Sequence, residues 1–252
     1  MERVRRAFSR AAKSYEGYAQ VQDYAAGRLA DLFRLWGQER SVGRVLEIGA
    51  GSGLLTRRLR PGLSPEAVYT ANDITDDFSQ QYRRWGCVPL IGDIQQVGLP
   101  GGQDAVVSSS CFQWIGDLPR LFRRIACSLR PDGALFFSTF GPDNFSQVKA
   151  LTGIGLSYPP ARDLESMLAA AGFAVREIRR EQDTLYFGTA RQMLRYFSAT
   201  GVNGFAGRTA TVWTPRRLED FQARYRREYA AGGNGDLPLT VDYLWFSAGK
   251  IR

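Results

Sequence analysis

A chain of 252 residues, 44% hydrophobic, 12% aromatic and 23% charged, has the make-up of one large α/β domain or two small ones. That composition excludes a mainly disordered, collagen-like or coiled-coil state. With 33 basic against 25 acidic residues the net charge is +8, and Lys13, Lys149 and Lys250 are the only lysines, so the field is an arginine field that favours acidic partners.

The basic residues are scattered, which leaves both a solvated surface and a docking patch open. Histidine is absent, which removes a histidine base, a Ser-His-Asp triad and any His-ligated metal. The 3 cysteines (Cys87, Cys111, Cys127) form no C-x-x-C pair, so a disulfide framework or structural zinc is not expected. No metal is expected, and the reducing cytoplasm is the expected compartment. No apolar run approaches the ~20 residues of a membrane span, and no membrane partner is expected.

Along the chain, Val4, Phe8, Ala11, Ala12 and Tyr15 recur at helical spacing, and Glu16–Trp36 continues with Tyr18, Val21, Ala25, Leu29, Leu32 and Phe33. Two N-terminal helices of the mature fold are preferred to a targeting presequence. From Arg44 the period changes. Val45–Ile48 is a strand, Gly49–Gly53 a glycine turn and Leu54–Leu59 a helix. A second strand, Ala67–Asn72, ends in Asp73, a helix lies near Asp76–Trp85, and a third strand, Val88–Ile91, closes on Gly92-Asp93.

Asp104–Ser108 is a fourth strand, Leu118–Leu129 a helix stopped by Pro131-Asp132-Gly133, and Ala134–Thr139 a fifth strand. Further on come a helix at Leu164–Ala171, a long or broken strand at Ala174–Phe187, helices at Arg191–Ala199 and Arg216–Ala231, and a last strand at Leu239–Ala248. This alternation predicts a mostly parallel, doubly wound sheet with helices on both faces. No linker is visible. The reading is therefore a single domain, residues 1–252, with a helical lid at 1–36, a nucleoside-binding core at 44–188, a helical insertion on the substrate side at about 190–238 and a last strand from 239.

The most informative stretch is Glu47-Ile48-Gly49-Ala50-Gly51-Ser52-Gly53. In a dinucleotide fingerprint, G-x-G-x-x-G, the pyrophosphate rests on the helix that follows. Here Leu54 stands where the third glycine belongs, and Glu47 ahead of the loop suits a cation better than a pyrophosphate. Asp73, followed by Ile74, stands where an acid binds ribose hydroxyls. Asp93 is placed to accept from an adenine amine, with Ile94 as an apolar wall. A glycine loop and two acids at successive strand ends fit S-adenosylmethionine, which carries a sulfonium, an ammonium, a ribose and an adenine but no phosphate. The bland alternative is a generic turn with Asp73 and Asp93 as helix caps.

Through Val45–Gly53, Asp73 and Gly92-Asp93 the sequence resembles the class I S-adenosylmethionine-dependent methyltransferases. A narrower resemblance covers most of the chain. Ala7–Glu16 with Ala19 and Gln22, Ser108 with Gln113-Trp114, Pro131-Asp132-Gly133 before Phe136–Thr139, Leu194-Arg195 with Gly201, and Pro238-Leu239-Thr240 look like the malonyl-acyl-carrier-protein O-methyltransferases of biotin synthesis. Ser109 and Val241 depart from residues common in that family, Asn and Tyr.

The resemblance implies a Rossmann-like, seven-stranded sheet with N-terminal helices and a helical insertion before the last strand. It also implies methylation of the free carboxylate of a malonyl thioester, carried by an acidic acyl carrier protein as partner or by coenzyme A, with no nucleic acid expected, and S-adenosylhomocysteine as product. Glu47, Gly49, Ala50, Gly51, Gly53, Asp73, Ile74, Asp93, Ile94 and Ser108 are then the expected cofactor residues. Phe8, Tyr15, Tyr18 and Gln22 are read as a lid over the cofactor, the last three of them cofactor-binding, Gln113 and Trp114 as catalytic-site residues on the acceptor side, and Arg195 as the guanidinium that orients the acceptor carboxylate. The competing readings are a trans-aconitate-type carboxyl methyltransferase, an RNA or small-molecule methyltransferase, and a non-methylating assembly factor of the same fold.

Overall fold

A computed structural model describes residues 17–38, 40–200, 213–230 and 235–251. The first expected helix, with Phe8 and Tyr15, and the family-like Gly201 lie outside these residues. The described elements are α1 (Gln20–Gly37), β1 (Arg44–Ile48), α2 (Thr56–Leu59), β2 (Val68–Asp73), α3 (Ser79–Arg84), β3 (Cys87–Ile91), β4 (Gln103–Ser109) and α4 (Leu118–Ser128). They continue with β5 (Leu129–Phe140), α5 (Ser146–Thr152), α6 (Ala161–Ala170), β6 (Phe173–Phe187), α7 (Ala190–Ala199), α8 (Pro215–Tyr229) and β7 (Leu237–Lys250).

The seven strands form one sheet in the order β3-β2-β1-β4-β5-β7-β6. The first five pair in parallel, while β7 runs antiparallel to both β5 and β6. The chain works outward through β2 and β3 on one side of β1 and returns to β4 on the other. That reversal leaves a crevice at the carboxyl ends of β1 and β4, where an open α/β sheet binds its ligands.

Alternation along each central strand explains why both faces are covered. Val45 of β1, Phe136 of β5 and Tyr243 and Trp245 of β7 face the core beneath α1. Their neighbours Leu46, Phe137, Leu244 and Phe246 face the core beneath α4 and α6. Phe137 and Phe246 are directly opposite in register and stack with centroids 4.7 Å apart. On the other face Trp245 is fully buried, and its indole N–H donates to the Ala25 carbonyl of α1 at 2.9 Å.

Two boundaries differ clearly from the sequence reading. β7 begins at Leu237, because Leu237 pairs with Phe187, so the helical insertion ends before the expected Pro238. Pro131-Asp132-Gly133 lies inside β5, where Asp132 takes a positive φ, and does not stand between a helix and a strand. Of the long or broken strand expected at Ala174–Phe187, β6 takes the long form, with a register shift between Val175 and Glu177.

Because Trp245 joins α1 to the sheet, Trp245→Ala is expected to cost ~3–5 kcal/mol. Chemical denaturation of the variant beside the parent measures this.

Candidate active site

The site is built where β1 stops. Gly49 takes φ +71°, and a Cβ there would sit 2.4 Å from the Cys111 sulfur; at Gly53, φ +83°, it would sit 2.2 Å from the Trp85 ring. Both positions therefore require glycine in order to pack against the protein itself. The turn between them is held down by β2: Ala50 N donates to Asn72 O at 2.8 Å, and Gly51 N donates to the Asp73 carboxylate at 2.8 Å. From α3, the Tyr82 hydroxyl donates to the Gly51 carbonyl.

The resulting cleft has about 1010 Å³ of empty space, its open mouth included. Ten of the expected residues line it: Gln22, Glu47, Gly49, Ala50, Gly51, Asp73, Ile74, Asp93, Ile94 and Trp114. Among the described residues, no lysine or arginine does.

Glu47 is 1% exposed and accepts from the Thr56 and Tyr69 hydroxyls, both at 2.6 Å. Burial pushes its carboxyl up to about 7 against those two hydrogen bonds, and the nearby Asp73 charge adds to the rise. Burial also raises Asp73, although backbone N–H groups of Thr75 and Gly51 oppose it. Asp93 accepts from Gln95 N at 2.9 Å. Three carboxyl groups around one cleft without a lining base favour a cation and repel a pyrophosphate.

Cys111 also lines the cleft, but burial, with the Asp73 charge, pushes its thiol up to about 12. It stays protonated near neutrality and is no nucleophile.

The remaining expected site residues lie elsewhere. Gly53 is packed under Trp85. Ser108 is fully buried and donates to Ile48 O at 2.9 Å, bracing β4 to β1 away from the cleft. Tyr18 is 44% exposed and lines no cleft, while Tyr15 is outside the described residues. Gln113 lines a smaller adjoining cavity, and its amide N–H donates to Ser110 O at 2.7 Å.

Arg195 requires a correction. It is exposed, because Met193, Tyr196 and Phe197 face the core and helical phase turns position 195 to the opposite side. It lines neither the cleft nor the smaller cavity. Sequence reasoning missed Asn72, Phe78, Ser110 and Ile115, which also line the cleft. Asn72 and Ser110 are signalled only by their closeness to strand ends, and Phe78 and Ile115 carry no such signal.

The residues present fit S-adenosylmethionine: the donor set is acidic and phosphate-averse, and the loop brings backbone up to the cleft floor. Comparison with known proteins agrees. A family model described as a methyltransferase domain matches residues 19–178. Malonyl-acyl-carrier-protein O-methyltransferase of Prosthecochloris aestuarii is 36% identical over 251 residues, covering 96% of this chain and 92% of that protein.

Among solved structures, the YcgJ protein of Bacillus subtilis superposes with a TM-score of 0.66 at 14% identity, over 90% of this chain and 99% of that one. A Burkholderia thailandensis 1,6-didemethyltoxoflavin-N1-methyltransferase, solved with S-adenosylhomocysteine, gives 0.57 at 17% identity, over 97% and 87%. These two establish the fold.

A carboxyl near 7 that faces a cation must ionise when the cation binds. Affinity for the cationic ligand is therefore expected to rise from pH 5.5 to about 7 and level off above it, with proton release on the acid side. The same raised value makes Glu47 favour the folded state most below the ordinary carboxyl range, a contribution lost as pH rises through about 7. Calorimetry of Glu47→Gln should show a flat pH profile and, above pH 7, binding weakened roughly tenfold or more.

Proposed function

The chain belongs to the malonyl-acyl-carrier-protein O-methyltransferase family, and from that premise we propose that it methylates the free carboxylate of malonyl-acyl carrier protein, an early step of biotin synthesis. The observation that carries the reading is the junction of two spaces. Gln22, Ser110 and Trp114 line both the acid-rich cleft and the smaller cavity beside it. A donor in the cleft and an acceptor in the cavity would meet at those three residues.

Glu47, Asp73, Asp93 and the Gly49–Gly51 backbone are the groups that would hold S-adenosylmethionine. That cofactor supplies a sulfonium-bound methyl, which a carboxylate oxygen takes as a new C–O bond while the methyl–sulfur electrons stay on sulfur and no proton moves. The protein's part is binding and orientation. An aliphatic carboxyl titrates near ~4, so the acceptor is ionised at neutral pH and needs no base. The absence of histidine and the protonated Cys111 are then no handicap.

Because opposite charges are consumed in the transfer, walls that keep water out favour it. Trp114, Ile115 and Phe78 provide such walls on the cleft side. The arginine-rich surface suits an acidic carrier protein, whose long-range attraction is screened by salt. Among the described residues no helix is long and apolar enough to cross a membrane.

Mass spectrometry of malonyl-acyl carrier protein after incubation with the enzyme and S-adenosylmethionine should show one added methyl. An unmodified carrier alongside methylated free tricarboxylates would replace this reading with the trans-aconitate type. With the carrier as substrate, kcat/KM should fall several-fold between low and high salt, as the Debye length shrinks from ~30 Å to ~3 Å. No change would remove electrostatic steering.

A further inference from the structure

The smaller cavity concentrates polar groups that the fold leaves unused. Gln22 Oε1 and Ser110 Oγ are buried with no hydrogen-bond partner among the described residues, and Asn144 Nδ2, although close to the Tyr158 hydroxyl, makes no well-formed bond there; all three residues line this one cavity. Gln22 is 7% exposed and Asn144 2%. Such groups are costly to bury unless something satisfies them. Phe140, Phe145 and Tyr158 supply much of the apolar wall.

The orientation of Asn144 is fixed. Asp242 N donates to Asn144 Oδ1 at 3.2 Å, so the amide NH2 is what Asn144 has left to offer. The loop carrying it is clamped by Asp242, which takes Arg180 Nε at 2.8 Å and Arg180 Nη2 at 2.9 Å and whose carbonyl accepts from Gly141 N at 2.8 Å. Other polar side chains of the cavity are engaged: Gln113 with Ser110 O, and Thr200 with Tyr196 O.

Backbone strain points to the same place. Among the described non-glycine residues, Ser110, Asp132 and Phe145 have positive φ, and Ser110 and Phe145 both line this cavity. Strained backbone tends to collect where a site must be held in a set geometry.

A lining of NH2, Ser hydroxyl and buried Tyr hydroxyl, with no lysine or arginine among the described lining residues, suits a small group rich in acceptors. We propose that this cavity receives the acceptor's carboxylate, held by the Asn144 amide and the Ser110 and Tyr158 hydroxyls. The assignment rests on the carboxyl-methylating function proposed above. Burial keeps the Tyr158 phenol protonated, against an opposing contact from the Asn144 amide, and therefore able to donate. Neutral donors fix the plane of the carboxylate without the tight ion pair that would draw charge from the attacking oxygen. The aromatic walls strip its water, and Gln22 and Trp114 stand at the opening towards the methyl donor.

The test is steady-state kinetics of the full-length enzyme with malonyl-acyl carrier protein, comparing wild type with Ser110→Ala, Asn144→Ser and Asn144→Asp. S-adenosylhomocysteine affinity and Tm are measured on each. Ser110→Ala removes an unpartnered hydroxyl, so Tm should hold while kcat/KM falls roughly 10- to 100-fold, the effect of one hydrogen bond to a charged group. Asn144→Asp sets like charges together and should lose roughly 100-fold or more, with S-adenosylhomocysteine affinity within about threefold of wild type. Asn144→Ser, which keeps a donor, should fall between wild type and Asn144→Asp.

Should Asn144→Asp fail to fold, the other two variants decide. Retention of kcat/KM within about threefold in Ser110→Ala and Asn144→Ser overturns the assignment, as does a loss that tracks a fall in Tm and in S-adenosylhomocysteine affinity together. If wild type ignores malonyl thioesters but methylates another carboxylic acid, the malonyl reading fails and the same variants test the cavity on that acid. If it methylates no carboxylate, both fall.

Discussion

A carboxyl group buried at the end of β1 is the constraint around which the site is organised. Glu47 is almost wholly out of water, and the Thr56 and Tyr69 hydroxyls that reach it do not repay that burial, so its proton stays on until near pH 7. Asp73 stands close by in the same predicament. A protein that keeps two such groups around a cleft, with Asp93 beside them and no lining base among its described residues, has built a place for positive charge. The glycine loop is subordinate to this arrangement. Its backbone N–H at Gly51 serves Asp73, and the Asp73 carboxylate in turn holds the loop against β2.

The sheet topology gives the cation site its counterpart. Reversal of strand order at β1 and β4 opens the crevice, and the segments that follow β4 and β5, with α1, continue it into a second space of different electrical character. Among the described residues the first space is acidic and lined by no basic side chain; the second is lined by no charged side chain and offers unused donors at Ser110 and Asn144. A cationic donor and an anionic acceptor sort themselves between these spaces by electrostatics alone. Neither requires a proton shuttle, which is how a chain without histidine can carry out the transfer.

Much of this was legible in the sequence because the responsible residues sit at strand ends that apolar runs announce. Glu47, Asp73 and Asp93 follow directly from Val45–Ile48, Ala67–Asn72 and Val88–Ile91. What was hidden depends on side-chain direction and backbone conformation. Arg195 has the chemistry of an anchor, but the helical phase of Met193, Tyr196 and Phe197 turns it outward. Ser108 lies one position from the cleft-lining Ser109, yet alternation along β4 directs its hydroxyl to Ile48. Positive φ at Ser110 and Phe145 carries no compositional mark, since neither is glycine. The short helix α5 follows a left-handed Phe145 with no side-chain cap, so no start signal exists for it.

The central claim is that Glu47 changes protonation state when a cation enters the cleft. Carbon-13 NMR of the protein labelled at its glutamate carboxyls, with Glu47→Gln used to assign the signal, observes this group directly. The expected result is a titration midpoint near 7 in the free protein, displaced well downward when S-adenosylmethionine is added. A midpoint in the ordinary carboxyl range, unmoved by saturating S-adenosylmethionine, would contradict it.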